Sequence, residues 1–306
     1  MSNGLFEKWM WSYLGIIIEA VPFLLIGAVI SAFIQMYITE ELINKIIRKN
    51  KFLSYIIASL SGIFLPICEC AIVPISKSLI KKGLPISLGI TFMLAVPIVN
   101  PVVIMSTYYA FPNDINIVII RILGGIIGAI VTGIIIGKLY NKQSKITILK
   151  DDIDTGYCSC CNLNTNYYVS GRDKIKALIL NASNEFLNIS VYFIIGAFIS
   201  SIFIVLIGDK YLSGLKLTSV NGILIMMLLG FALSLCSEAD AFIAKGFLSN
   251  VGVEGVIAFL ILGPMMDLKN FILTLGLFKR KFVLTLTSII FILVLIFSLL
   301  ISFISI

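Results

Sequence analysis

Apolar runs of about 20 residues or more, long enough to cross roughly 30 Å of hydrocarbon, recur along this chain. "WSYLGIIIEAVPFLLIGAVISAFI" (11–34), "INIVIIRILGGIIGAIVTGIIIG" (115–137) and "FVLTLTSIIFILVLIFSLLISFISI" (282–306) are the clearest. They are continuous rather than alternating, which excludes a transmembrane β-barrel. Of the 306 residues 59% are hydrophobic and only 13% charged, a share no soluble core requires. The chain reads as an all-α polytopic membrane protein. Its first run is too long for a signal-peptide core and lacks a small-residue cleavage motif, so it reads as a permanent span.

The net charge of +7 reflects Lys and Arg in loops, where they mark the cytoplasmic side. The basic residues form no patch with stacking aromatics, which argues against nucleic acid. Histidine is absent. No Ser/His or Cys/His pair can therefore exist, no Walker A or cofactor motif is present, and neither an enzyme nor a bound cofactor is expected. The six cysteines are not spaced as a secreted disulfide framework.

Long spans are expected at 9–37, 52–66, 84–110, 115–138, 184–208, 219–235, 253–278 and 282–305, with shorter segments at 68–80 and 237–249. The expected organisation is a first membrane repeat (1–138), a polar cytoplasmic linker (139–178) and a second membrane repeat (179–306). Four landmarks recur in the same order. "FLLIGAVISAFI" (23–34) matches "YFIIGAFISSIF" (192–203), setting Gly27 over Gly196 and Ser31 over Ser200. Cys68 and Lys77 fall over Cys236 and Lys245, and "AVPIVNP" falls near "LGPMMDL", placing Asn100 over Asp267.

Corresponding loops exchange charge character. The basic loop with Lys45, Arg48, Lys49 and Lys51 corresponds to 209–218, which has only Lys210 and Lys216 beside Asp209, and acidic "PNDIN" (112–116) corresponds to basic "KRK" (279–281). The positive-inside rule then gives the halves opposite orientation. That requires an odd number of crossings, five segments per half and about ten in all, with both termini outside. A helix of about 13 residues spans only ~20 Å, so 68–80 and 237–249 are expected to be discontinuous helices. Such segments at matching positions of inverted halves point to a transporter's substrate site.

The polar residues there are the candidate pathway. Cys68, Glu69 and Cys70 open the first short segment; Cys236, Glu238 and Asp240 open the second; Lys77 and Lys245 follow. Carboxylates suit helix N-termini, and an ionised one costs roughly 2.5–3.5 kcal/mol at mid-membrane, so three there point to a role in substrate or proton passage. The alternative is capping with a lysine counter-ion, and for the thiols simple packing. Asn100 and Asp267 follow prolines that break their spans, with Lys269 and Asn270 beside them. Glu19 and Arg121 read as charges in structural pairs. In the linker, Cys158, Cys160 and Cys161 offer soft thiols to a metal such as Zn²⁺ or Cu⁺, although a plain loop reads equally well.

"LPICECAIVPISKSLIKKGLPISLGITFMLAVPIVNPVV" and "CSEADAFIAKGF…AFLILGPMMDLKNFILTLGLFKRKF" resemble the DUF318 or UPF0718 (ArsP-like) family of permeases over nearly the whole chain. The resemblance implies transport across the inner membrane of a bacterial cell. Some relatives export trivalent organoarsenicals, and others are linked to copper and zinc efflux. Those relatives commonly carry Cys-Ser-Cys where this chain has Cys68, Glu69 and Cys70, so the substrate does not carry over. The Cys-Glu-Cys branch looks like permeases that pair with a small two-span membrane protein.

The expected function is a secondary transporter in the lipid bilayer, effluxing a small solute or a metal or metalloid species through a central cavity, with proton coupling through carboxylates. The alternatives are a passive channel on the same architecture, or a membrane subunit of a complex with a small partner. A homo-oligomer stays open.

Overall fold

A computed structural model of the chain describes residues 2–38, 41, 51–64, 67–112, 114–140, 148–149, 171–207 and 219–304. The linker cysteines Cys158, Cys160 and Cys161 lie outside the described residues. The described residues are overwhelmingly helical. The first half contains α1 (Ser2–Tyr37), α2 (Lys51–Leu60) with a 3-10 turn at Ser61–Ile63, α3 (Glu69–Lys81), α4 (Ile86–Val99), α5 (Pro101–Ala110) and α6 (Ile115–Tyr140). The second contains α7 (Gly171–Ile207), α8 (Ser219–Leu233), α9 (Asp240–Lys245), α10 (Leu248–Met265), α11 (Leu268–Leu277) and α12 (Arg280–Ile304).

Phe6–Tyr37, Ile115–Tyr140, Ile175–Leu206, Asn250–Leu277 and Arg280–Phe303 are long and apolar enough to cross a membrane. α4 and α5, bent by 42° between Val99 and Pro101, make a sixth such span. The protein is an all-α, multi-pass membrane protein, and its exposed Leu, Ile, Val and Phe side chains suit contact with lipid.

The expected span at 84–110 is a broken one because Pro101 cannot continue the ladder of hydrogen bonds. Asn100 instead starts a new helix, its Oδ1 accepting from the Val102 N–H at 3.0 Å. The span at 253–278 also breaks at a capping residue, with Leu268 rather than a proline opening the new helix. Met266 is extended, and Asp267 caps α11 by accepting from the Asn270 N–H at 2.7 Å.

Two expected boundaries move. The segment read at 237–249 contributes only the six-residue α9, and α10 already begins at Leu248. Gly252, at φ +73, kinks α10 next to the expected start at 253, a backbone conformation that glycine adopts without steric penalty. α7 begins at Gly171, inside the stretch read as linker; apolar patterning marks only the part of a helix in hydrocarbon, and a polar turn can prolong it. Ile148 and Leu149, also from that stretch, pair with the α11–α12 turn. The Lys279 N–H donates to the Ile148 carbonyl at 2.9 Å, and Leu149 bridges to Phe278.

The long helices of the two halves pack antiparallel. The Tyr140 hydroxyl, at the end of α6, donates to Thr285 Oγ1 near the start of α12 at 3.3 Å. Gly124, in the first half of α6, lies against Phe297 in the last third of α12. α1 and α7 share a broad interface, with Trp9 near the start of α1 edge-on to Phe198 near the end of α7 at 5.3 Å. Between them α3 packs on α11, and α9 packs on α5.

Candidate functional site

The site is built from the starts of α3 and α11. Cys68 is extended and precedes the first turn of α3, which holds Glu69 and Cys70. The free N–H groups and macrodipole of a helix start favour a carboxylate there. α3 is fixed against α1 by small residues and hydroxyls. A Cβ on Gly27 would come within 2.7 Å of Ala71 Cβ. Ser31 and Ser78 share a 2.6 Å hydrogen bond, and Gln35 donates to Ser78 at 2.9 Å.

α11 is placed from the other half. Ser234, at φ 46, ends α8 and turns its hydroxyl to the start of α11, accepting from the N–H of Leu268 at 3.0 Å and of Lys269 at 3.3 Å. Gly196 of α7 leaves room for the Lys269 backbone, whose Cα would lie 3.1 Å from an added Cβ. Irregular backbone within a membrane span survives only when protein satisfies it, and these side chains do so.

The two helix starts bring three charges together. Lys269 Nζ lies 3.9 Å from Glu69 Oε1 and 3.7 Å from Asp267 Oδ2. All three are buried, Glu69 to 1% exposure. These distances are too long for hydrogen bonds. Among the described residues Glu69 Oε2, Asp267 Oδ2 and Asn270 Oδ1 are buried without a hydrogen-bond partner. Glu69 and Asn270 line a cavity of about 10 Å³, room for about one water. Pro97 and Pro264, each in the last turn of the helix that precedes a break, line the same cavity with Met93, Met265, Met266 and Thr274. The free thiols of Cys68 and Cys70, on either side of Glu69, are both buried, and that of Cys236 is half-buried. Among the described residues no group of three Cys, Asp or Glu side chains is set to hold a metal ion.

A second ion pair lies at the start of α9. Arg121 of α6 donates to Asp240 Oδ2 at 2.6 Å and to Thr107 Oγ1 of α5 at 2.6 Å. Its Nε and Asp240 Oδ1 have no hydrogen-bond partner among the described residues. Each short helix thus opens with an acid, Glu69 or Asp240, that meets a cation from the other half.

The candidate residues therefore separate. Cys68, Glu69, Cys70 and Asp267 gather at one cluster. Asp240 pairs with Arg121, as expected of an isolated charge such as Arg121. Asn100 spends its side-chain oxygen on capping α5. Lys77 is buried within α3, whereas Cys236 and Glu238 are half-buried and Lys245 is exposed. Glu19, expected in a structural pair, is exposed on α1. Lys269 and Asn270 were legible only as neighbours of a helix break, and the cavity's three methionines and Ser234 carried no signal that separates them from packing residues.

Residues 9–303 match the ArsP-like family model, described as a predicted permease. The chain belongs to that family. The UPF0718 protein YcgR of Bacillus subtilis is 39% identical over 290 residues, 95% of each chain. A protein of Streptococcus mutans described as a two-component membrane permease complex subunit is 37% identical over 272 residues, covering 89% of this chain and 87% of that one. No solved structure matches this chain. The protein is a membrane permease.

Proposed function

We propose that this permease is a secondary transporter of the bacterial cytoplasmic membrane. It moves a small solute, a metal or metalloid species included, outward through the cavity between α3 and α11, with protons exchanged at Glu69. The observation that carries this reading is the pair of orphaned buried oxygens, Glu69 Oε2 and Asn270 Oδ1, on a cavity set between two helix breaks. A buried polar atom without a partner is disfavoured, and a bound ion, a proton or a polar solute would satisfy both oxygens. Thioether sulfurs from three methionines add soft ligands. A cavity this small fits a carrier in a closed state rather than an open channel.

The two membrane repeats, 1–138 and 179–306, have opposite orientation in this reading, with the 139–178 linker in the cytoplasm. The antiparallel packing of α6 on α12 and of α1 on α7 supports it. So does the pairing of Ile148 and Leu149 with the turn that carries Lys279, Arg280 and Lys281, which puts two basic stretches on one side. The name of the Streptococcus mutans relative supports a partner subunit for this chain as well. A deletion strain tested on a panel of Zn²⁺, Ag⁺ and trivalent arsenicals, and complemented with wild-type or Glu69→Gln chains, tests the reading. Restored resistance with wild type alone supports it, and equal complementation by both chains rejects it.

A further inference from the structure

We propose that the exposed stripe of α1 around Glu19 docks a transmembrane helix of a second, different chain that carries a Lys or Arg at mid-depth. The proposal rests on the partner-subunit reading above and names the surface and the chemistry of that partner. Trp11, Gly15, Glu19, Pro22 and Ile26 succeed one another at steps of three and four residues, so they share one helix face, and all five are exposed. The opposite face, with Ala20, Leu24 and Ala28, is buried in the protein.

Depth sets Glu19 apart from an ordinary surface charge. The span runs from Phe6 to Tyr37, so Glu19 lies about 20 Å from one end and about 27 Å from the other at 1.5 Å per residue. Wherever a hydrocarbon layer of roughly 30 Å falls along that span, Glu19 is inside it. An ionised carboxylate against acyl chains is strongly disfavoured. Among the described residues Glu19 has no ion pair and no hydrogen bond, so the counter-ion has to come from outside. A helix can also come close. A Cβ on Gly15, one turn before Glu19, meets nothing within 4 Å, and small residues let membrane helices approach.

The neighbouring helix α7 repeats the pattern. The correspondence that sets Gly27 over Gly196 sets Glu19 over Asn188, and Asn188 is exposed as well. Trp9 meets Phe198 at 5.3 Å in this antiparallel pair. Equal steps of about 15 Å along the two helices bring Glu19 and Asn188 to the same level. A partner cation at that level meets a carboxylate and an amide oxygen, both acceptors. A second copy of this chain seated symmetrically on the same face would set Glu19 against Glu19, a like-charge contact, so the occupant is a different chain.

The test is photocrosslinking in native membranes, with benzoylphenylalanine placed at Ile18 beside Glu19 or, as a control, at Ile292 on the exposed face of α12. Products are read per inserted chain, and the crosslinked peptide is identified by mass spectrometry. Ile18 is expected to give one product, with a membrane helix of another chain that holds a Lys or Arg near its middle. A like-charge contact costs several kcal/mol, so Glu19→Lys should lower that product about tenfold or more. Glu19→Gln, the milder change, should lower it less. Exchanging the partner's basic residue for Glu should restore the product in the Glu19→Lys chain. A product with a second copy of this chain, a partner peptide without a basic residue, or a yield unchanged by Glu19→Lys overturns the proposal. A product with another chain from Ile292 and none from Ile18 rejects this surface and leaves the partner-subunit reading standing. No product with another chain from either position rejects both.

Discussion

Arg121 and Asp240, 119 positions apart, meet at 2.6 Å with both side chains buried. The contact ties α6 of the first half to α9 of the second. Removing one partner of a buried pair leaves an uncompensated charge and costs about 3–5 kcal/mol, whereas apolar replacement of both is often near neutral. Arg121→Leu and Asp240→Leu are each expected to lower the melting temperature in detergent sharply. The double variant is expected to recover most of the loss. Additive losses in the double variant would show that the two groups do not act as a pair.

Helix contact is the second prediction. A Cβ on Gly27 would sit 2.7 Å from Ala71 Cβ, and one on Gly196 would sit 3.1 Å from the Lys269 Cα. Both glycines let a site helix approach, but the Gly27 contact has less room to yield. Gly27→Ala is expected to destabilise by about 1–3 kcal/mol, the usual range for overpacking, and Gly196→Ala by less. Gly15→Ala, with nothing within 4 Å, is expected to be harmless. Melting curves in one detergent rank the three, and a larger loss for Gly15→Ala than for Gly27→Ala would refute the packing argument.

Topology is the third. Asp114 precedes α6, whose far end, Tyr140, packs on Phe282 with ring centroids 5.2 Å apart. The 26 residues of α6 span about 39 Å at 1.5 Å per residue. Single cysteines introduced as Asp114→Cys and Lys281→Cys should therefore label from opposite faces. In whole cells an impermeant reagent is expected to reach the first and not the second. Labelling of both would contradict the crossing, and labelling of Lys281→Cys alone would reverse the proposed orientation.

What the sequence made legible was local. Long apolar runs gave six of the spans, whereas those expected at 52–66 and 219–235 form shorter apolar helices among the described residues; Pro101 and the capping residues Asn100 and Asp267 gave the two helix breaks, because a missing N–H and a capping side chain act within a few residues. The length of α9 was not legible. Its end, and the kink at Gly252, depend on how α10 packs. The partners within the site were not legible either. Nothing near Glu69 in sequence announces that Lys269 will stand beside it, and Arg121 carries no mark of Asp240. Such pairs arise when the halves pack, and one sequence without their geometry shows only that each charge needs an answer.

The central claim is that substrate moves through the Glu69 cavity in exchange for protons. Its most direct measurement is proton flux in proteoliposomes loaded with a pH-sensitive dye, held under an imposed pH gradient and challenged with Zn²⁺, Ag⁺ or trivalent methylarsenite. Wild-type protein should give a dye response that depends on at least one of the three and collapses without the gradient. Glu69→Gln, inserted to the same level, should give none. A Glu69→Gln response equal to wild type, or a wild-type response to none of the three, would contradict the account.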